Sequence, residues 1–275
     1  MVELDLLENT QTETLSEKMK RFESEVNVSL KPKTPVIIRI DGKAFHTFTK
    51  GLDKPFDSEL SEIMINTALS LAENIQNVRF VYSQSDEISL LLTDWTNPNT
   101  DTWYGYRVQK ITSVSSSMAT LFFNKYIRII ESRFSNMAVD YNLNNFGKDT
   151  SASSDLERKW WLWLNKSNEG ALFDSRAFNL PKEEVSNYFL WRYKDAKRNS
   201  VQALAQSIFS QKELQNKSTQ EQIDMIKEKS GIVYDELTSL QKVGFAIYKK
   251  DEEWFVDTEV PDIYENRDYV EKWLN

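Results

Sequence analysis

The chain contains no cysteine, which excludes disulfides, thiolate catalysis and cysteine zinc sites and gives no sign of an oxidising compartment. Histidine occurs once, at His46, so any mechanism needing two imidazoles is excluded, and a Ser/His/Asp triad or a His-rich metal site has little support. No apolar run approaches the ~20 residues of a membrane span, and the opening M-V-E-L-D-L-L-E-N-T is acidic, without the basic region of a signal peptide. A soluble, cytoplasmic protein with no membrane partner is expected. Proline and glycine are scarce (six and seven), and no repeat or low-complexity linker interrupts the chain, so it reads as continuous ordered structure. The net charge of −8 argues against a surface that binds nucleic acid indiscriminately, while leaving room for a local basic groove.

What is present is core. With 275 residues, 40% of them hydrophobic, the chain can build one large domain or two small ones. T-P-V-I-I-R-I-D, 34–41, is a β-branched apolar run between a proline and an Asp-Gly, the pattern of a buried strand. From Asp57 the residues Leu60, Ile63, Met64, Ala68, Leu71, Ala72 and Ile75 recur at three and four, predicting an amphipathic helix capped by Asp57 or Ser58. Residues 78–83 and 88–92 read as two strands joined by Q-S-D-E, a hairpin without the usual Asn-Gly turn.

Ile111, Val114, Met118, Leu121, Phe122, Ile129 and Ile130 lay out a second helix. A last strand near R-A-F-N-L-P, 176–181, follows a Trp-rich stretch read as irregular. The order βαββαβ predicts an α+β fold: a ferredoxin-like polymerase-palm domain over 1–180, with 181–275 a mostly helical extension packed on it. In that extension Pro181 opens one helix, the capping box Ser218/Glu221 starts another that Gly231 closes, and short strands fall at Phe245–Tyr248 and Trp254–Val256.

The helix crossover makes the first two strands parallel, so Asp41 at the end of the first lies at the same sheet edge as the turn carrying Asp86 and Glu87. Carboxylates about 4 Å apart repel by roughly 4 kcal/mol at an effective dielectric near 20, so such a cluster needs a proton or a cation. Mg²⁺ suits it: it takes one or two carboxylates plus substrate phosphates, and Gly42 lets a backbone carbonyl approach as a further ligand. Two ions ~4 Å apart would serve an in-line phosphoryl displacement. Alone, an Asp-Gly after a strand is a turn, and an Asp-Glu on a hairpin is solvated; it is their convergence that points to chemistry. His46 alone reads as packed or solvent-facing, but five residues past Asp41 it suggests a nucleotide contact.

The motifs R-I-D-G-K-A-F-H-T-F with K-P-F-D, then Q-S-D-E-I-S, D-S-R-A-F-N-L-P and Y-F-L-W-R-Y-K-D-A-K-R-N-S occur in that order. In them the chain, from about residue 15 to about 250, resembles the tRNA-histidine guanylyltransferase superfamily, especially its guanylyltransferase-like branch. The resemblance implies a palm enzyme that uses two Mg²⁺ ions, with Mn²⁺ as a substitute, activates a tRNA 5′ end with ATP or GTP and adds NTPs in the 3′-to-5′ direction. By motif, Asp41, the Gly42 carbonyl and Asp86 would hold the metals, with Glu87 supporting them. The backbone of Gly42, Lys43, Ala44, Phe45 and His46, with Ser85, would cradle a triphosphate. Lys54 and Asp57 would lie near the nucleotide, Asp57 against its base. Lys110, with Arg107 nearby, would meet charge developing in the transition state, and Arg176, Arg192, Lys197, Arg198 and Asn199 would meet triphosphate or RNA.

Against these roles stand plainer ones. Trp191 reads as core, some of the cations as a solvated helix face, and the K-W-W-L-W-L run, 159–164, as packing. K-R-N-S at 197–200 stands where eukaryotic members carry H-I-N-N, which favours template-directed repair of 5′-truncated tRNA over selection of tRNA-histidine. The family also implies a homo-oligomer, a tetramer, gripping the 5′ end and acceptor stem of tRNA. A guanylyltransferase specific for tRNA-histidine, a palm nucleotidyl cyclase and an RNA-binding protein without activity stay open as alternatives.

Overall fold

The computed structural model describes residues 13–95, 99–144 and 151–274. Helix α1 (Leu15–Ser24) is fixed by a Thr14/Glu17 capping box. Strand β1 (Val36–Gly42) is the run expected from its β-branched residues. After Ala44, in the left-handed region at φ 53°, comes the single turn α2 (Phe45–Phe48). Helix α3 (Ser58–Asn74) begins where expected, with the Asp57 carboxylate accepting from the Leu60 N–H at 2.8 Å. Strands β2 (Val78–Gln84) and β3 (Glu87–Leu92) pair with Gln84 opposite Glu87, so Ser85 and Asp86 form the turn. Ser85 takes φ 51°, supplying the positive angle that Asn-Gly usually provides.

Helix α4 (Val108–Asn144) is longer than its pattern suggested, and its inner face is differently phased. Ile111, Ala119, Phe123, Ile127, Ile130 and Phe134 are buried, whereas Leu121 and Ile129, expected inside, are 65% and 46% exposed. Leu121 lies two residues from both Ala119 and Phe123, about 200° round the helix. Small Ala119 carried the true phase and drew less notice than Leu121. The Trp-rich stretch is helix α5 (Ser151–Glu169), not an irregular segment. Leu156, Trp160 and Trp163, at spacings of four and three, turn inward, while Trp161 is 56% exposed. The tight apolar run hid that period. Strand β4 (Phe173–Asn179) follows.

Past Pro181 a short 3-10 turn leads into α6 (Val185–Ile208), followed by α7 (Gln211–Leu214) and α8 (Thr219–Ser230). The Ser218/Glu221 box starts α8 and Gly231, at φ 73°, ends it, both as expected. Helix α9 (Ser239–Val243) then leads to β5 (Phe245–Lys250) and β6 (Glu253–Asp257).

Among the described residues one antiparallel sheet carries all six strands, in the order β4-β1-β3-β2-β5-β6. Its first four are the ferredoxin-like arrangement that βαββαβ predicts, and β5 adds to β2 so that the C-terminal hairpin widens the palm. Because β1 and β2 both run antiparallel to β3, they are parallel to each other, and β1 ends beside the β2–β3 turn. Val36, Ile38 and Ile40 face a core made with α3, α4 and α5; Ile37, Phe80, Tyr82 and Leu91 face a second core under α6 and the C-terminal residues. Among the described residues no helix is long and apolar enough to cross a membrane.

Candidate active site

Asp41 pairs in register with Glu87 on β3 and with Asp174 on β4, so three carboxylates stand in one row on the α6 side of the sheet. The next row is Arg176, Arg39 and Ser89. Asp86 completes the cluster from the turn, because the Gly42 N–H donates to the Asp86 carbonyl at 3.1 Å and ties the end of β1 to the hairpin. The Lys43 N–H, donating to the Leu172 carbonyl at 2.8 Å, anchors the other side.

The electrostatics follow from this crowding. Burial, then the Asp41 charge, pushes the Asp86 carboxyl up to about 6. Asp41 is raised by burial and then by Asp174, against the opposing pull of Arg39, Arg176 and Arg192. Burial also raises Glu87, although its carboxylate meets Arg192 Nη1 at 2.7 Å. Burial is the first cause at all three, so this edge favours any state, protonated or cation-bound, that carries less net charge.

Gly42 is required by close approach. An added Cβ would stand 2.2 Å from Phe45 Cδ2. That ring cannot yield, since it is packed against Phe48, Phe123 and Phe173 with centroids 5.1, 5.3 and 5.4 Å away. Gly42→Ala should therefore destabilise the fold by about 1–3 kcal/mol, as overpacking does. An unchanged thermal midpoint would show that the ring gives way.

The side chain of Phe45 is thus core, and what 42–46 offer a ligand is backbone, without the Gly42 and Lys43 N–H groups, which the Asp86 and Leu172 carbonyls already take. The N–H groups at the start of α2 have no intrahelical acceptors, as at any helix start. His46 and Lys54 are exposed, and His46 Nε2 lies 3.1 Å from Thr47 Oγ1. Lys43 opens instead on a wide groove along α4 with Lys125 and Arg128.

Beside the acid turn lies a cleft of about 510 Å³, lined among others by Phe56, Asp57, Gln84, Ser85, Asn199 and Gly244. Its volume suits a small ligand such as a nucleotide. Asp57 lines it with a carboxylate already engaged by the Leu60 and Asp53 N–H groups. The structure thus brings Asp57, Ser85 and Asn199 together.

The C-terminal cations separate. Arg192 is buried, bridging Glu87 and Asp195; Arg198 pairs with Asp195, Asn199 Nδ2 also reaches it, and Lys197 is exposed. Trp191, expected in the core, is 52% exposed, because the inward positions of α6 go to Tyr188, Phe189, Arg192 and Tyr193. Lys110 and Arg107 are not brought to the acids. Residue 107 bridges to Ser29, and the next segment reaches Asn179, which pairs with Val36 at the end of β4 away from Asp41. Lys110 Nζ sits over the Tyr104 ring at 5.5 Å. Arg39 and Asp174 escaped the sequence reading as members of the cluster. The signal for Arg39 was its position two residues before Asp41 on the same strand, hence on the same face.

Three comparisons show which proteins the chain is similar to. The family model for tRNAHis guanylyltransferase matches residues 16–181, more than half of the chain. A bacterial tRNA(His) guanylyltransferase-like protein solved in complex with ATP superimposes with a TM-score of 0.77 at 38% identity, covering 95% of this chain and 99% of that one. A second, in complex with GTP, gives 0.69 at 34% identity over 95% and 99%. An uncharacterised protein of Acanthamoeba polyphaga mimivirus is 28% identical over 89% of this chain and 80% of its own. The chain belongs to the tRNA(His) guanylyltransferase family of nucleotidyltransferases.

Proposed function

We propose that the protein is a Mg²⁺-dependent 3′-to-5′ nucleotidyltransferase that activates a tRNA 5′ end with ATP or GTP and adds NTPs to it, repairing 5′-truncated tRNA in the cytoplasm against the opposite acceptor strand. The observation that carries this reading is the Gly42 N–H to Asp86 carbonyl bond, which holds two aspartates at one desolvated sheet edge beside a nucleotide-sized cleft. The likeness to proteins solved with ATP and with GTP supports a nucleotide in that cleft. K-R-N-S at 197–200 supports the repair reading over selection of tRNA-histidine.

The donor set fits a hard divalent ion. Asp41, Asp86 and the Gly42 carbonyl offer oxygen alone, and the raised proton affinity of the two acids marks charge that a cation would neutralise. Among the described residues no cluster of three acids or histidines could hold an ion by itself, so substrate phosphates would have to complete the site. When bound, two such ions, Mg²⁺ or Mn²⁺, supply Lewis-acid activation of the phosphoryl group and of the attacking hydroxyl.

The protein's own groups do the positioning. Backbone N–H groups of 44–46 and Ser85 would face the phosphates, those of Gly42 and Lys43 being already engaged, with Lys54 adding charge. Asp57, Asn199 and the turn at Gly244 wall the cleft, and Arg176 and Lys197 present cations to RNA. A homo-oligomer, a tetramer in this reading, gives Lys110 and Arg107 their place. Standing at the opposite end of their own sheet, they would reach a reacting phosphate across a subunit boundary. Residues 1–180 would form the catalytic palm, with 181–275 packed on it as part of one unit.

The test is to incubate the protein with Mg²⁺, ATP, all four NTPs and a 5′-monophosphorylated tRNA lacking its first nucleotide, resolving products at single-nucleotide length. Extension matching the opposite strand is expected. Addition of G alone to tRNA-histidine would favour the narrower guanylyltransferase, and no extension would refute the reading.

A further inference from the structure

Trp191 lies half in solvent on a helix whose other large aromatic residues are mostly inside. Single exposed aromatics are common and need no explanation, and Trp161 on α5 is one of them. Trp191 differs in what holds it. The Arg192 guanidinium carbon sits 3.6 Å from its ring centroid, and that guanidinium is itself fixed by Glu87 at 2.7 Å and Asp195 at 3.3 Å. Tyr188 meets the ring edge-on at 5.9 Å. The indole is thus held in one orientation with half its surface open.

Its surroundings are cationic. Arg39 lies 5.7 Å from the ring, and its buried Nε has no hydrogen-bond partner among the described residues. Arg176, Arg39's partner on β4, is more than half exposed and, among the described residues, is paired with Asp174 alone, at 3.6 Å. This pair is two residues, about 7 Å, along the strands from Asp41 and Asp174. A half-open indole fixed by a guanidinium over its ring, with further guanidinium groups around it, offers the combination that binds single-stranded nucleic acid, by stacking a base and neutralising its phosphate.

Neither Trp191 nor Arg39 nor Arg176 lines the 510 Å³ cleft, which lies on the other side of the acid turn. A reaction that joins a nucleotide to an RNA end needs two nucleotide sites flanking the acids, and the cleft supplies one. We propose that Trp191 is the stacking platform for the base of the RNA's 5′-terminal nucleotide, with Arg39 and Arg176 taking its phosphate charge. This inference rests on the 3′-to-5′ transfer proposed above and assigns its second nucleotide subsite.

The experiment measures Kd, by fluorescence anisotropy, for a 5′-monophosphorylated acceptor minihelix and for the same RNA with its 5′-terminal base removed, using wild type, Trp191→Ala and Trp191→Phe. Trp191→Ala should weaken binding of the intact RNA by about 5- to 150-fold, the equivalent of ~1–3 kcal/mol of stacking, and Trp191→Phe should stay within about threefold. Wild type should lose a similar factor on the abasic RNA, on which Trp191→Ala should lose nothing more. ATP affinity by calorimetry should hold in both variants. The proposal is overturned if Trp191→Ala binds intact RNA normally, if Phe is as damaging as Ala, if the loss persists on abasic RNA, or if ATP binding falls instead. A wild type that extends RNA normally while any of these occurs would leave the transfer reading standing; a wild type that binds and extends no RNA would sink both.

Discussion

Replacing Asp86 by Asn should abolish nucleotide addition and, in metal-free protein at pH 7, raise the thermal midpoint. Both effects have one cause. The Asp86 carboxyl is held at about 6 by burial and by Asp41, well above its ordinary value of 3.8. A raised native pKa means that the group's stabilising contribution is full below the unfolded value and is lost as pH rises through the folded one. At pH 7 the ionised carboxylate therefore works against the fold. The rise from 3.8 to about 6 is equivalent to roughly 3 kcal/mol as an upper bound, and partial solvation at the turn reduces this to about 1–2 kcal/mol. The amide is nearly isosteric and uncharged, so a gain of ~2–8 °C is expected for a chain of this size.

Calorimetry in chelator at two pH values checks the sign. The gain should be present at pH 7 and vanish near pH 4, where wild-type Asp86 is itself protonated. Mg²⁺ should stabilise wild type and not the variant, since only a ligand that binds the native state shifts the midpoint. Activity should fall by at least about 10³, because the metal site contributes several kcal/mol to such a transfer. A variant that is active, or no more stable than wild type at pH 7, would show that the two aspartates do not share a charge-strained edge.

The parts of the molecule legible in sequence are those set by local rules. The β1 run, the Asp57 cap, the Ser218/Glu221 box and the Gly231 stop each depend on a few adjacent residues, and all stand where expected. The meeting of Asp41 with the Asp86 turn was also legible, because strand direction follows from a helix crossover. What escaped depended on distant partners. The phase of α4 was set by a small residue, Ala119, packing where Leu121 drew attention. The helix in the Trp-rich stretch shows its period only once Leu156, Trp160 and Trp163 have a surface to face. Arg192 and Trp191 exchanged their expected places, charge inside and indole outside, because the buried acid that draws Arg192 in lies 105 residues away in sequence. No window along α6 contains Glu87.

That exchange makes Arg192→Ala strongly damaging to stability. The substitution would leave Glu87 buried beside Asp41, Asp86 and Asp174 without its counter-charge, and breaking a buried pair from one side costs about 3–5 kcal/mol. For a chain of this size that is a fall of roughly 6–20 °C in the thermal midpoint. Adding Glu87→Gln to Arg192→Ala should recover more than half of the loss, since the larger part is the stranded charge and not the missing contact. Arg192→Lys should recover less than the wild-type level, because an ammonium cannot span Glu87 and Asp195 while lying flat against Trp191. A midpoint within about 2 °C of wild type for Arg192→Ala would mean that the pair behaves as a solvated surface bridge. A double variant no better than the single would show that the loss is packing alone. The placement of so costly a pair has a geometric consequence. Glu87 directly follows the Ser85-Asp86 turn, and Asn199 lies two helical turns beyond Arg192 on α6. The bridge therefore sets the spacing between the two walls of the cleft and, at the same point, the seat of the indole. A variant that keeps the fold but loosens this bridge should raise KM for nucleotide and RNA together, which neither the acid edge nor Trp191 alone would do.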